Sequence, residues 1–140
     1  MEAETANEQL LPEFIEHCRS RKLRVTKERR LVFLALSEVG GPATRPVLLQ
    51  RLVSKGIHAP TLYRTIDAFV SNQIVQPVLR NGESAYELLP PFAHHHHHFH
   101  CLSCGAVAAL DATDEHLDLK VPGTVLYHQI DAYGICDACL

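Results

Sequence analysis

Leu10, Leu11, Phe14, Ile15 and Cys18 recur at helical spacing and predict a first helix from about Glu8 to Arg21, with Pro12 in its first turn. Thr26 has the side chain of an N-cap, and Leu31, Leu34, Ala35 and Leu36 beyond it form the apolar stripe of a second helix that Gly40-Gly41-Pro42 ends. A third helix is expected from a cap at Thr44 through Leu48, Leu49, Leu52 and Val53 to Lys55-Gly56. Pro60 opens a fourth, reaching Val70, with Leu62, Ile66, Phe69 and Val70 on its buried face. Thr61, Tyr63, Arg64, Asp67 and Ala68 are left at its edges or outside. Two short apolar-rich runs follow, Ile74 to Leu79 and Ser84 to Leu89, with Asn81-Gly82 between them, a strong hairpin signal. Helices followed by a two-stranded hairpin predict a winged helix, a helix-turn-helix variant with a β wing.

Beyond the hairpin, Leu89-Pro90-Pro91-Phe92-Ala93 interrupts both helix and strand and reads as a linker. Ala106 to Leu110 and Thr124 to Tyr133 read as strands, and Asp114 to Leu119 as a short helix stopped by Pro122-Gly123. The expected fold class is α+β. A winged helix-turn-helix spans 1–89, a linker 90–93, and a small α/β domain with a four-cysteine zinc site 94–140.

Hydrophobic residues make up 46% of the chain, ordinary for a globular protein, and no apolar run nears the roughly 20 residues of a membrane span. Met1 to Gln9 is acidic, unlike a secretion signal, so a reducing, cytoplasmic compartment without membrane contact is expected. The net charge of -3 conceals a division: from His17 to Arg64, eleven Lys and Arg face two carboxylates, a balance of +9. From Pro90 to Leu140, one base faces six acids, a balance of -5. A basic winged helix suits a polyanion. In such a fold, the helix before the hairpin enters the DNA major groove. Thr61, Tyr63 and Arg64 would face the DNA, and Lys22, Arg24, Lys27 and Arg45 would clamp its backbone.

Cys101-Leu-Ser-Cys104 and Cys136-Asp-Ala-Cys139 are two C-x2-C pairs separated by 31 residues. Each pair offers two thiolates to one tetrahedral ion, and together they complete a closed four-cysteine zinc site. Gly105 follows the first pair, as a tight metal-binding turn requires. The fifth cysteine, Cys18, lies on an apolar helix face and is expected to be a buried thiol. A closed site has no open coordination position, and no H-E-x-x-H or nucleophile motif is present, so the chain reads as a binding protein, not an enzyme. Just before the first pair stands His94-His95-His96-His97-His98-Phe99-His100. If this run enters the zinc pair as a strand, His96 and His98 share one face, and His95 and His97 the other.

Ala59-Pro60-Thr61-Leu62-Tyr63-Arg64, Tyr86-Glu87-Leu88, the histidine cluster, Cys101-x2-Cys104-Gly105 and Tyr133-Gly134-Ile135-Cys136-x2-Cys139 stand in the order of the ferric-uptake-regulator family of metal-dependent bacterial repressors. The chain resembles that family from about Leu23 to Cys139. The resemblance implies a homodimer joined through the C-terminal domain, which binds an A/T-rich inverted repeat of double-stranded DNA when loaded with a regulatory divalent metal. It also implies structural Zn2+ on Cys101, Cys104, Cys136 and Cys139.

By the same resemblance, Glu87 matches a hinge-site ligand and would join His96 and His98, although two extra residues separate it from the run. Ala43 and Ala109 stand where iron-type members carry a histidine and an acid. His116 and His128 match a second site and would join His95 and His97. All-imidazole ligation suits Zn2+ over Fe2+ and points to a zinc-responsive, Zur-like repressor of metal-uptake genes. One ion held on both sides of the linker would lock the two DNA-binding heads of a dimer in one orientation. The alternatives are a peroxide-sensing member of the family, a winged-helix regulator with purely structural zinc, and a metal buffer, which would have no need of the basic half.

Overall fold

The computed structural model describes residues 9–80, 82–93, 97–110, 120–124, 128 and 130–140. The chain forms two compact units, 1–94 and 95–140.

In the first unit, α1 (Leu11–Ser20) buries Phe14 and Cys18 and carries Pro12 in its first turn. Helix α2 (Lys27–Val39) starts where the Thr26 hydroxyl accepts the Arg29 N–H at 3.2 Å and ends at Gly40, whose φ of +71° suits a residue without Cβ. Its buried face is Val32, Phe33, Ala35 and Leu36, so the expected stripe is turned slightly: Leu31 and Leu34 are only half-buried. Helix α3 (Arg45–Leu52) does begin after Thr44, but without a side-chain cap. Ala43–Thr44 is instead a short strand, β1. Helix α4 (Ala59–Ser71) has Pro60 in its first turn and buries Leu62, Thr65, Ile66 and Phe69. Val70, expected inside, is exposed, and Thr65 takes its place by donating to the Thr61 carbonyl at 2.7 Å.

The hairpin forms as β2 (Val75–Arg80) and β3 (Glu83–Leu88), closed between Arg80 and Glu83 with Gly82 at φ +77°. β1 pairs with the far side of β3, giving a three-stranded sheet in the order β1-β3-β2. Pro77 lies on the edge strand β2, where its missing N–H is tolerated.

The core is built on Phe14, which stacks on Phe33 with ring centroids 4.3 Å apart and meets Phe69 edge-on at 5.7 Å. Phe92 enters the same cluster, 5.3 Å from Phe33 and 6.5 Å from Phe14. Phe92 lies within the segment expected as a linker at 90–93. The prolines do end the strand, but the Phe92 N–H donates to Leu89 O at 2.9 Å, and the ring it carries is buried among aromatics. Apolar burial outweighs the local break.

The second unit has a central strand β4 (His97–Cys101), antiparallel to β5 (Val107–Leu110) and parallel to β6 (Asp131–Gly134). A short 3₁₀ turn, Asp137–Cys139, follows. Of the strand expected from Thr124 to Tyr133, the described part is β6, while 125–127 and 129 lie outside the described residues. So does the helix expected at Asp114 to Leu119. Among the described residues of this unit, the buried side chains are His97, His98, His100 and Cys101.

Candidate functional site

The parallel pairing of β4 with β6 sets Cys101 opposite Gly134 and so carries the second cysteine pair to the first. Gly105, at φ +76°, donates its N–H to Cys101 O at 2.9 Å and closes the turn that returns Cys104. The Sγ atoms of Cys101, Cys104, Cys136 and Cys139 all lie within 4.8 Å of one another. The Cys104–Cys136 separation is 3.8 Å. A tetrahedral zinc with bonds of about 2.3 Å has edges of about 3.8 Å, so the donor set fits structural zinc.

Cys101 Sγ accepts backbone N–H groups from Cys104 at 3.4 Å and Cys136 at 3.3 Å. These donors, that of Cys104 foremost, lower the Cys101 thiol from 9.0 to about 6. Hydrogen bonding to the Cys136 side chain, foremost among several causes, pushes the Cys139 thiol up to about 12. Backbone donation thus favours the thiolate at Cys101, while hydrogen bonding among the crowded sulfurs favours the thiol at Cys139.

The histidines next to this cluster fall on both faces of β4. His97 and His98 are each 1% exposed. On one face His97 stacks on His128, with centroids 5.3 Å apart. The Ile130 N–H donates to His97 Nδ1 at 2.9 Å, so the neutral ring carries its proton on Nε2 and ligates a cation only by giving up that bond. On the other face His98 neighbours His100 at 6.3 Å. His100 is bound through Nε2 to Asp131 Oδ1 at 2.7 Å and stacks on Tyr133 at 4.8 Å, so its nearest role is to join β4 to β6. His95, His96 and His116 lie outside the described residues.

Glu87 lies in the first unit, on β3, and is 3% exposed. The Gln76 Nε2 donates to its Oε1 at 2.7 Å. Gln76 Oε1 is itself buried without a hydrogen-bond partner. Sequence reasoning missed Gln76, although counting back from the Asn81-Gly82 loop places it opposite Glu87. It also missed Asp131, which only the parallel β4–β6 register brings near His100.

Of the residues expected to face DNA, Lys22, Arg24, Lys27, Tyr63 and Arg64 are exposed on the first unit, and Thr61 is half-buried. Lys22 holds a left-handed φ of +56° at the end of α1. Arg45 differs from the other bases. Its guanidinium carbon lies 4.9 Å from the Tyr63 ring centroid and 5.3 Å from that of Tyr86, and Nη2 is 3.7 Å from Asp67 Oδ1. Among the described residues, no helix is long and apolar enough to cross a membrane.

Residues 20–120 match the model of the ferric uptake regulator family. The zinc uptake regulation protein of Escherichia coli (strain K12) is 27% identical over 97% of this chain and 84% of its own length. The ferric uptake regulation protein of Bacillus subtilis (strain 168) is 29% identical over 88% of each chain. A solved zinc uptake regulator complexed with zinc and DNA superposes with a TM-score of 0.62 at 25% identity, covering 95% of this chain and 94% of that one. The winged helix, the four-thiol cluster and the match over most of the sequence lead to one conclusion: the chain belongs to the ferric uptake regulator family of metal-responsive, DNA-binding transcriptional repressors.

Proposed function

We propose that this repressor answers to zinc and controls metal-uptake genes by binding, as a homodimer, an A/T-rich inverted repeat. The observation that carries the effector assignment is the imidazole pair His97 and His128, stacked at 5.3 Å in the unit that carries the thiol cluster. Clustered imidazoles favour zinc over the harder, oxygen-preferring cations. Relatives at 27% and 29% identity carry zinc and ferric names respectively, so overall similarity does not separate the two metals, and the zinc reading is supported by the imidazole donors alone.

Two ligand groups are proposed. One comprises His95, His97, His116 and His128, where His97 is the member that must exchange its Ile130 hydrogen bond. The other comprises Glu87, His96 and His98, with Gln76 holding Glu87 in place. Cys101, Cys104, Cys136 and Cys139 would hold structural zinc, which would cross-link the two ends of the second unit. In the first unit, α4 would present Thr61, Tyr63 and Arg64 to the major groove, and Lys22, Arg24 and Lys27 would meet phosphates.

Effector binding that favours one arrangement of the paired heads by about 3 kcal/mol changes operator affinity roughly 150-fold. The assignment is tested by titrating Zn2+, Fe2+, Mn2+ and Ni2+ against operator binding with the structural site filled. Zinc is expected to act at the lowest free concentration relative to its availability. Activation by iron or manganese with zinc inert would reject it. Loss of the metal response in Glu87→Ala and His96→Ala would support the Glu87 group, and an unchanged response would remove it.

A further inference from the structure

We infer that Arg45 is a positioning residue of DNA recognition: clasped between Tyr63 and Tyr86 and facing Asp67, it fixes the angle at which Tyr63 meets a base edge. The inference rests on the reading of α4 as the groove-entering helix and goes beyond it, because it changes the role of a base that charge alone would assign to a phosphate.

The geometry is built from three elements. Arg45 is the first residue of α3, Tyr63 and Asp67 lie one turn apart on α4, and Tyr86 is on the central strand β3. The guanidinium carbon is 4.9 Å and 5.3 Å from the two ring centroids. Both separations lie inside the range in which a cation is drawn to an aromatic face. Nη2 points to Asp67 Oδ1 at 3.7 Å. The Nε atom is buried without a hydrogen-bond partner, so the side chain is held here by its π faces and by Asp67, at the cost of one donor.

A phosphate clamp needs its N–H edge turned outward with its charge uncommitted. Arg45, whose side chain is 38% exposed, instead faces a carboxylate that is 74% exposed and would otherwise repel DNA. Tyr63 is 39% exposed, so Arg45 restrains the ring while leaving part of it accessible. A tyrosine held against a planar cation loses less rotational freedom on meeting a base than one that swings freely. The same clasp ties the reading helix to the wing sheet through Tyr86.

The test separates positioning from phosphate contact by salt dependence. Operator affinity of the metal-loaded full chain is measured by fluorescence anisotropy over a series of salt concentrations, on operator and on unrelated duplex. Arg45→Gln is expected to lose about tenfold on operator, the scale of one cation–π contact, with an unchanged log–log salt slope and little loss on unrelated DNA. Arg24→Gln, the phosphate comparator, is expected to weaken both duplexes and reduce the slope by about 0.9. Arg45→Lys keeps the charge but not the planar stack and is expected to resemble Arg45→Gln. In a Tyr63→Ala background, Arg45→Gln is expected to cost little more.

A slope reduced by about one, rescue by lysine, or additivity with Tyr63→Ala would overturn the inference. If Tyr63→Ala weakens operator binding while Arg45→Gln does not, the positioning role fails and α4 stands as the reader. If Tyr63→Ala has no effect, both fail. Far-UV circular dichroism of each variant identifies any that has not folded. Should Arg45→Gln be among them, Arg45→Lys decides between the two roles: operator affinity kept by lysine overturns positioning, and affinity lost at an unchanged slope supports it.

Discussion

Phe92→Ala separates two descriptions of the segment between the wing and the histidine strand. The Pro90-Pro91 pair suggests a loose connector, whereas the structure buries Phe92 to 4% exposure. Its ring centroid lies 5.3 Å from Phe33, 5.3 Å from His17 and 6.5 Å from Phe14, all at steep angles. Removing a buried phenyl ring costs about 3–5 kcal/mol, and edge-on partners contribute roughly 0.5–1.5 kcal/mol each. The ring caps the cluster from a chain segment able to settle inward, which favours the lower end, about 3 kcal/mol. With a urea slope of about 1.5 kcal/mol/M, the unfolding midpoint should fall by about 2 M. The described α-helices lie in the first unit, and far-UV circular dichroism reads their loss on unfolding. A shift smaller than about 0.5 M would mean that Phe92 contributes no core and that the connector description is right.

Gln76→Leu keeps the volume but removes the amide that donates to Glu87 at 2.7 Å; effector-metal affinity, measured by competition with a chromophoric chelator, should fall roughly 10–100-fold. An unchanged affinity would take Glu87 out of the ligand group or show that its orientation does not matter. Proton release on filling the thiol site of the reduced, metal-free chain should rise as pH falls through about 6, because the backbone N–H groups of Cys104 and Cys136 lower the Cys101 thiol to about 6 and it is protonated below that value. Metal affinity should therefore weaken on acidification, and calorimetry in buffers of different ionisation enthalpy reads the count; a release constant from about pH 5 to 7 would contradict the lowered Cys101 thiol. Stripping zinc with a strong chelator should unfold the second unit and the dimer while leaving the helical signal of the first. Ultracentrifugation that finds a zinc-free dimer would refute the view that zinc on the four thiols holds that unit folded.

Much of the first unit was legible because its signals are local. The Thr26 cap, Pro60 and the Asn-Gly loop each act within a few residues, and the elements formed where those signals stood. β1 was not legible: Ala43–Thr44 is two residues long and exists only because β3, far along the chain, offers a partner, with Ala43 opposite Tyr86. The burial of Phe92 was not legible for a related reason, since adjacent prolines report backbone preference and say nothing of the aromatic cluster that holds the ring. The four cysteines came together as their spacing implied. The imidazoles were harder to assign, because strand alternation gives a face but not a partner. That Ile130 occupies His97 Nδ1 and Asp131 engages His100 depends on the parallel β4–β6 register, which no local pattern encodes. Arg45 was counted as one positive charge among eleven, and its tyrosine neighbours come from two other elements.

We propose that an exchangeable cation on the histidine and Glu87 ligands sets DNA affinity, while the four-thiol cluster holds the fold. The most direct measurement is operator affinity of protein whose thiol site is filled, before and after the exchangeable metal is removed with a mild chelator. A loss of roughly 150-fold on removal, reversed by zinc, is the expected result. Equal affinity in both states would contradict the account and leave a winged-helix protein with purely structural zinc.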